Sequence, residues 1–147
     1  MHEDWKCIHM AMVVKDMDEA IKRFEKIGVG PFPPFLGGPE GMPVTGKTVW
    51  GEPSDYDMDL RVAKSQFGGI GFELIQPLKG PSIYDEFLEK TGGGYHHLAY
   101  AVGDLDAAIA EMAKAGFKVV QTGAFERGKW AYVSTDEPGS IVVELCG

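Results

Sequence analysis

His9-Met10-Ala11-Met12-Val13-Val14-Lys15-Asp16-Met17-Asp18-Glu19-Ala20-Ile21 returns later in the chain as His97-Leu98-Ala99-Tyr100-Ala101-Val102-Gly103-Asp104-Leu105-Asp106-Ala107-Ala108-Ile109. The offset is 88 at His9/His97, at Asp16/Asp104 and at Ile21/Ile109, and it still holds at Gly28/Gly116. A strand, a turn, a helix and its stop kept in register are an internal repeat. The chain reads as two tandem copies of one unit, roughly residues 5–80 and 95–147, within a single domain of 147 residues.

Each copy opens on an apolar strand, Lys6–Val14 in the first and His97–Val102 in the second. Asp16 and Asp104 are placed to cap the helices that follow, since a short carboxylate accepts from the free amides of a first turn. Met17, Ile21, Phe24 and Ile27 recur at helical spacing, as do Leu105, Ile109 and Met112. Gly28 and Gly116 stop these helices, because glycine takes the left-handed conformation at little cost. Strand-like runs then follow: Lys47–Gly51, Met58–Ser65 and Gly71–Gln76 in the first copy, Lys118–Thr122, Trp130–Ser134 and Ile141–Cys146 in the second. The Gly68-Gly69 pair suits a turn between two of them. The fold class is therefore α+β, with two βαβββ modules whose strands build a mixed sheet. A short helix over Ser82–Lys90, capped by Ser82 and ended by Gly92-Gly93-Gly94, links the copies. The stretch Gly30–Pro43 is loop; its Phe32 and Phe35 either cover a pocket or anchor the loop on the core.

Side chains alternate along a strand. Alternation puts His9 with Cys7, Ala11 and Val13, Glu73 with Gly71 and Ile75, His97 with Ala99 and Ala101, and Glu144 with Val142 and Cys146. In all four strands one polar side chain stands among smaller residues, and bulkier apolar residues take the other face. Any one of these, taken singly, reads as a solvated or hydrogen-bonded side chain. As a set they are two His/Glu pairs at repeat-related places. A buried carboxylate is costly unless it is paired or bound to a metal. Two imidazoles and two carboxylates suit zinc, nickel, cobalt, manganese or iron(II). His9, Glu73, His97 and Glu144 are thus the candidate ligands of one divalent cation. His96 is expected to point away from His97, into the core or behind the site. Cys7 and Cys146 are expected to border the site as free thiols without ligating.

The formal charge of −8 disfavours nucleic acid and anionic membranes, and no run of lysine or arginine overrides it. No apolar run is long enough to span a bilayer, and no signal segment is visible, so a cytoplasmic protein is expected.

The motifs Ile8-His9-Met10-Ala11, Phe72-Glu73-Leu74-Ile75-Gln76-Pro77, Gly93-Gly94-Tyr95-His96-His97-Leu98-Ala99 and Ile141-Val142-Val143-Glu144-Leu145 resemble the vicinal oxygen chelate (glyoxalase/bleomycin resistance/dioxygenase) superfamily. Within it, the link Ser82–Leu88 before Gly-Gly-Tyr-His-His and the loop Gly123–Lys129 look most like the methylmalonyl-CoA epimerases. The resemblance implies a curved, half-open glyoxalase-like sheet around one metal held by His9, Glu73, His97 and Glu144. It implies proton removal beside a carbonyl or thioester, with Glu144 and Glu73 as base candidates. Glyoxalase I-like lyases share the same ligand set, and other relatives sequester antibiotics without chemistry. Epimerases of this type can carry a further acidic base on the third strand. Here that position falls near Leu60 or Arg61, with Asp57 and Asp59 close by. Arg61, Lys64, Arg127 and Lys129 are candidates to meet an anionic small-molecule substrate, such as an acyl-CoA or a thiol adduct. A homodimer joined edge to edge is compatible with this reading.

Overall fold

The computed structural model describes residues 4–36, 43–67, 69–126, 128–135 and 141–147, with side chains throughout except at 36 and 64–67. In chain order the elements are β1 (Lys6–Val13), α1 (Met17–Glu25), β2 (Pro34–Leu36), β3 (Thr45–Val49), β4 (Glu52–Pro53), β5 (Asp57–Phe67), β6 (Ile70–Lys79), α2 (Ile83–Thr91), β7 (Gly94–Ala101), α3 (Leu105–Lys114), β8 (Lys118–Phe125), β9 (Gly128–Ser134) and β10 (Val142–Cys146).

The helix boundaries follow from local chemistry. Asp16 accepts from the amide of Glu19, and Asp104 from that of Ala107, each at 3.0 Å. Both helices end in the same paired bonds. Gly28 N–H donates to Glu25 and Val29 N–H to Phe24; Gly116 N–H donates to Ala113 and Phe117 N–H to Met112. The bonds close because Gly28 and Gly116 stand at φ 81° and 86°. The repeat is thus conserved down to individual hydrogen bonds.

Among the described residues the strands form one sheet, ordered β2-β5-β6-β1-β7-β10-β9-β8-β3-β4. It is mixed and curls into a half-barrel. β1 runs parallel to β6, β7 runs parallel to β10, and the antiparallel pair β1/β7 joins the halves. The convex face carries α1 over Met10, Met12, Phe72 and Leu74, and α3 over Ala131, Val133, Val143 and Leu145. The residues between them, Ala11, Val13, Ile75, Trp130 and Tyr132, turn to the concave face and pack with Ile83 and Tyr84 of α2. α2 fills one end of the trough and leaves the other end open.

The first module departs from the expected order in one respect. The strand expected first after α1 does not join its own half. Thr45–Val49 pairs with β8 of the second module, in register at Val49↔Gln121 and Thr48↔Thr122. A hydroxyl–hydroxyl bond of 2.7 Å between Thr48 and Thr122 and the buried side chain of Val49 hold it there. This covers an edge that β8 would otherwise expose. The place beside β5 goes to the three-residue β2, within the stretch expected to be loop. Of the expected Gly68-Gly69 turn, Gly68 lies outside the described residues.

Two β-bulges break the strict alternation assumed from the sequence. Cys7 pairs with Tyr100 and His9 with Ala99, so Ile8 is an extra residue in β1. Ala11 pairs with His97 and Met12 with Tyr95, so His96 is an extra residue in β7. Ile8 and His96 are themselves 88 residues apart and hold the same place in the repeat. A bulge sends two consecutive side chains toward one face.

Gly123 faces Trp130 across β8 and β9, and a methyl group on it would overlap the indole, which is already buried. Gly123→Ala should therefore destabilise the fold by about 1–3 kcal/mol through overpacking. The change should appear as a lower urea midpoint with an altered tryptophan emission; an unchanged midpoint would mean that the indole is free to move.

Candidate metal centre

Four adjacent strands of the sheet, β6, β1, β7 and β10, each contribute one polar side chain to the concave face. Glu73 stands beside Ala11, His9 between Gly71 and Ala99, His97 beside Ala11, and Glu144 beside Ala99. The neighbours are small for a reason. A Cβ on Gly71 would come within 3.2 Å of the Cβ of His9. Alanine and glycine leave the volume into which the long side chains converge.

One ligand atom from each of His9, Glu73, His97 and Glu144 lies within 4.8 Å of all the others. His9 Nε2 is 3.3 Å from His97 Nε2 and 2.8 Å from Glu144 Oε2. His97 Nε2 is 3.3 Å from Glu144 Oε2, and Glu73 Oε2 is 3.5 and 3.8 Å from the two imidazoles. Donors about 2.1 Å from a shared cation stand roughly 3.0–3.4 Å apart at octahedral to tetrahedral angles. Glu144 Oε2 is buried and receives no aligned hydrogen bond despite its two imidazole neighbours. Donor set, spacing and that oxygen all fit a divalent cation.

Burial and mutual charge set the proton affinities. Burial works against charge on His9, but Glu73 and Glu144 outweigh it and lift its pKa to about 9. Burial raises Glu73 to about 8 against the pull of His9, with repulsion from Glu144 added. Burial would raise Glu144 too, yet its contacts with both imidazoles hold it far below the carboxylate range. Burial lowers His97. The two carboxylates thus divide their roles, one keeping a proton and one charged.

His9, Glu73 and Glu144 floor a cavity of about 590 Å³, lined mostly by hydrocarbon and aromatic rings, and His97 lies behind them with its side chain withdrawn from solvent. β5 lends it Met58, Leu60 and Val62; Phe35, Phe125 and Trp130 close other sides. The candidates outside the ligand set divide. Lys129 lines the cavity. Arg61 does not: it faces the other side of β5, where Asp59 holds its guanidinium at 2.7 and 2.9 Å. Arg127 and the side chain of Lys64 lie outside the described residues. Where a third-strand base could stand, Leu60 presents hydrocarbon. Cys146 borders the cavity, its thiol pushed well up by burial and by Glu144. Cys7 is exposed and does not line it; the bulge puts Ile8 there instead. Phe32 is buried in the core while Phe35 reaches the cavity. Tyr132, opposite Glu144 in the register, also lines the cavity and packs edge-on to His97 at 4.9 Å. Alternation of Trp130 and Tyr132 with Ala131 and Val133 carried that signal in the sequence. His96, expected to turn away, shares the concave side with His97.

In the folded, metal-free protein His9 and Glu73 hold protons that the unfolded chain releases at lower pH, near its ordinary values of 6.5 and 4.5. Their contribution is therefore lost as pH rises through the folded values. His96 and His97 titrate below this window. The urea midpoint of metal-free protein should fall between pH 6.5 and about 9, and a saturating divalent cation should remove the fall. A flat midpoint would show that neither group keeps its proton.

Comparison with known proteins agrees with this architecture. The family model of the Glyoxalase/Bleomycin resistance protein/Dioxygenase superfamily matches residues 8–133. An uncharacterized Bacillus subtilis protein, YqjC, is 32% identical over 94 residues, which span 61% of this chain and 66%, just under two thirds, of that protein. An ethylmalonyl-CoA/methylmalonyl-CoA epimerase of Cereibacter sphaeroides is 28% identical over 116 residues, 78% of this chain and 74% of that protein. The crystal structure of methylmalonyl-CoA epimerase from Mycobacterium tuberculosis superposes with a TM-score of 0.62 at 20% identity, covering 95% of this chain and 85% of that one. At that identity the superposition speaks for the fold. From the family match, the repeat and the half-barrel together, the chain belongs to the glyoxalase/bleomycin resistance protein/dioxygenase superfamily.

Proposed function

We propose that the protein is a metal-dependent enzyme that removes a proton from the carbon beside a carbonyl or thioester, in the manner of a methylmalonyl-CoA epimerase. The observation that carries this reading is the four-donor cluster, three of whose members, His9, Glu73 and Glu144, floor a mostly apolar cavity of about 590 Å³. His9, Glu73, His97 and Glu144 would hold a zinc, nickel, cobalt or manganese ion. When bound, the cation supplies Lewis-acid polarisation of a substrate carbonyl.

The chain's own residues supply the rest. Met58, Leu60, Val62 and Phe35 exclude water and seat the acyl portion, which strengthens every charge interaction at the floor. Lys129 at the cavity wall can meet a phosphate or carboxylate of the substrate. With hydrocarbon at Leu60 and Arg61 turned away, the proton falls to Glu144 or Glu73. Glyoxalase I-like lyase activity is the second reading, favoured by the absence of a carboxylate among the described cavity residues of β5. A thioester is preferred because a similar relative is an ethylmalonyl-CoA/methylmalonyl-CoA epimerase and because a related epimerase has been solved with methylmalonyl-CoA bound.

Metal-loaded protein with (2R)-methylmalonyl-CoA in deuterated water should incorporate solvent deuterium at the α-carbon. Glu144→Gln and Glu73→Gln should each slow that exchange by about 10²–10⁴-fold, the share of a positioned base. Metal analysis of each variant separates loss of the base from loss of the ion. Metal-bound wild-type protein that washes in no deuterium would overturn the epimerase reading. Turnover of the methylglyoxal–glutathione adduct instead would establish the lyase.

A further inference from the structure

The bulge at His96 places two consecutive histidines on one side of β7. His96 Nδ1 is 2.9 Å from His97 Nδ1. Both rings are buried, at 8% and 6% exposure. His96 is fixed edge-on against Phe87 of α2 at 4.9 Å and lies 5.5 Å from Tyr84. The ring is therefore held from the closed end of the trough, by aromatic side chains of α2.

A distance of 2.9 Å between two ring nitrogens requires one proton between them. A neutral His97 that offers Nε2 to a cation must carry its proton on Nδ1. Among the described residues the acceptor in reach of that N–H is Nδ1 of His96, whose own proton must sit on Nε2. A ligand imidazole whose second nitrogen is bonded has its tautomer and its ring plane set in advance.

We propose that His96 is a positioning residue: it accepts the Nδ1–H of His97 and locks that ring in the tautomer that presents Nε2 to the metal. This rests on the metal reading given above. The device is one-sided. Ile8 holds the repeat-equivalent place before His9, and it lends hydrocarbon to the cavity wall instead of an acceptor. His97 is thus the pre-set ligand of the pair. It is also the one with a side chain wholly withdrawn from solvent, at 0% against 15% for His9.

The test compares three proteins. His96→Phe keeps an aromatic ring against Phe87 and Tyr84 but removes the acceptor. His96→Asn restores an acceptor near the Nδ1 position. Zinc affinity is read by competition with a chromogenic chelator. His96→Phe should bind about 10–100-fold more weakly than wild type, and His96→Asn should recover much of the loss. The urea midpoint of each metal-free variant reports whether the fold is kept. Nitrogen-15 NMR gives a second readout: zinc-loaded wild type should show His97 protonated at Nδ1, with a scalar coupling to Nδ1 of His96. That coupling should appear in the metal-free protein as well. Equal zinc affinity of wild type and His96→Phe would overturn the proposal, as would absence of the coupling. A wild-type protein that binds no divalent cation would count against the metal reading, and the coupling would then judge the His96–His97 bond by itself.

Discussion

The fold turns on the close approach of like and unlike charges at the seam between its two halves. Two carboxylates and two imidazoles share a volume in which no pair of donors is more than 4.8 Å apart. Like-charged carboxylates in a dry site cannot both remain ionised without compensation. Protons on His9 and Glu73 offer one form of it, and a divalent cation offers a stronger one. Removing a single partner from such a buried group costs about 3–5 kcal/mol, so each of the four depends on the other three. The surrounding sheet serves that dependence. Small residues at Ala11, Gly71 and Ala99 open the space, and helices on the convex face keep the strands in register.

The bulges are the finer instrument. In a regular pair, one residue in two reaches the concave face. The extra residues at Ile8 and His96 let consecutive side chains reach it at the two positions that precede the histidine ligands. At the open end the added side chain is hydrocarbon and shapes the cavity. At the closed end it is an imidazole and bonds the ligand beside it. A duplicated backbone device has been put to two uses by a change of one side chain.

The cavity above the floor is dominated by apolar groups, and its described cation is Lys129. An acidic chain with a formal charge of −8 can still take an anionic substrate when a cation and a lysine lie on the binding path. No helix among the described residues is long and apolar enough to cross a membrane. α2, the link between the halves, does more than connect them. Its Tyr84 bonds Tyr132 at 2.8 Å and its Phe87 braces His96, so the linker is built into the rear wall of the site.

The sequence by itself determined the repeat, the helix caps and the four candidate ligands. These are local or periodic properties: a capping carboxylate acts within one turn, and a strand's alternation is visible to its next neighbour. Tertiary structure decided three things. It sent Thr45–Val49 across to β8, where Thr48 bonds Thr122 and the strand covers an edge that β8 would otherwise expose. It turned Arg61 outward to Asp59 and left Leu60 facing the cavity, a choice made by the register of β5 on β6. It inserted the bulges that exchanged Cys7 for Ile8 at the cavity and brought His96 beside His97. A bulge is a property of two strands together, since the extra residue is extra only relative to a partner strand in the other module. No rule confined to one strand could have located it.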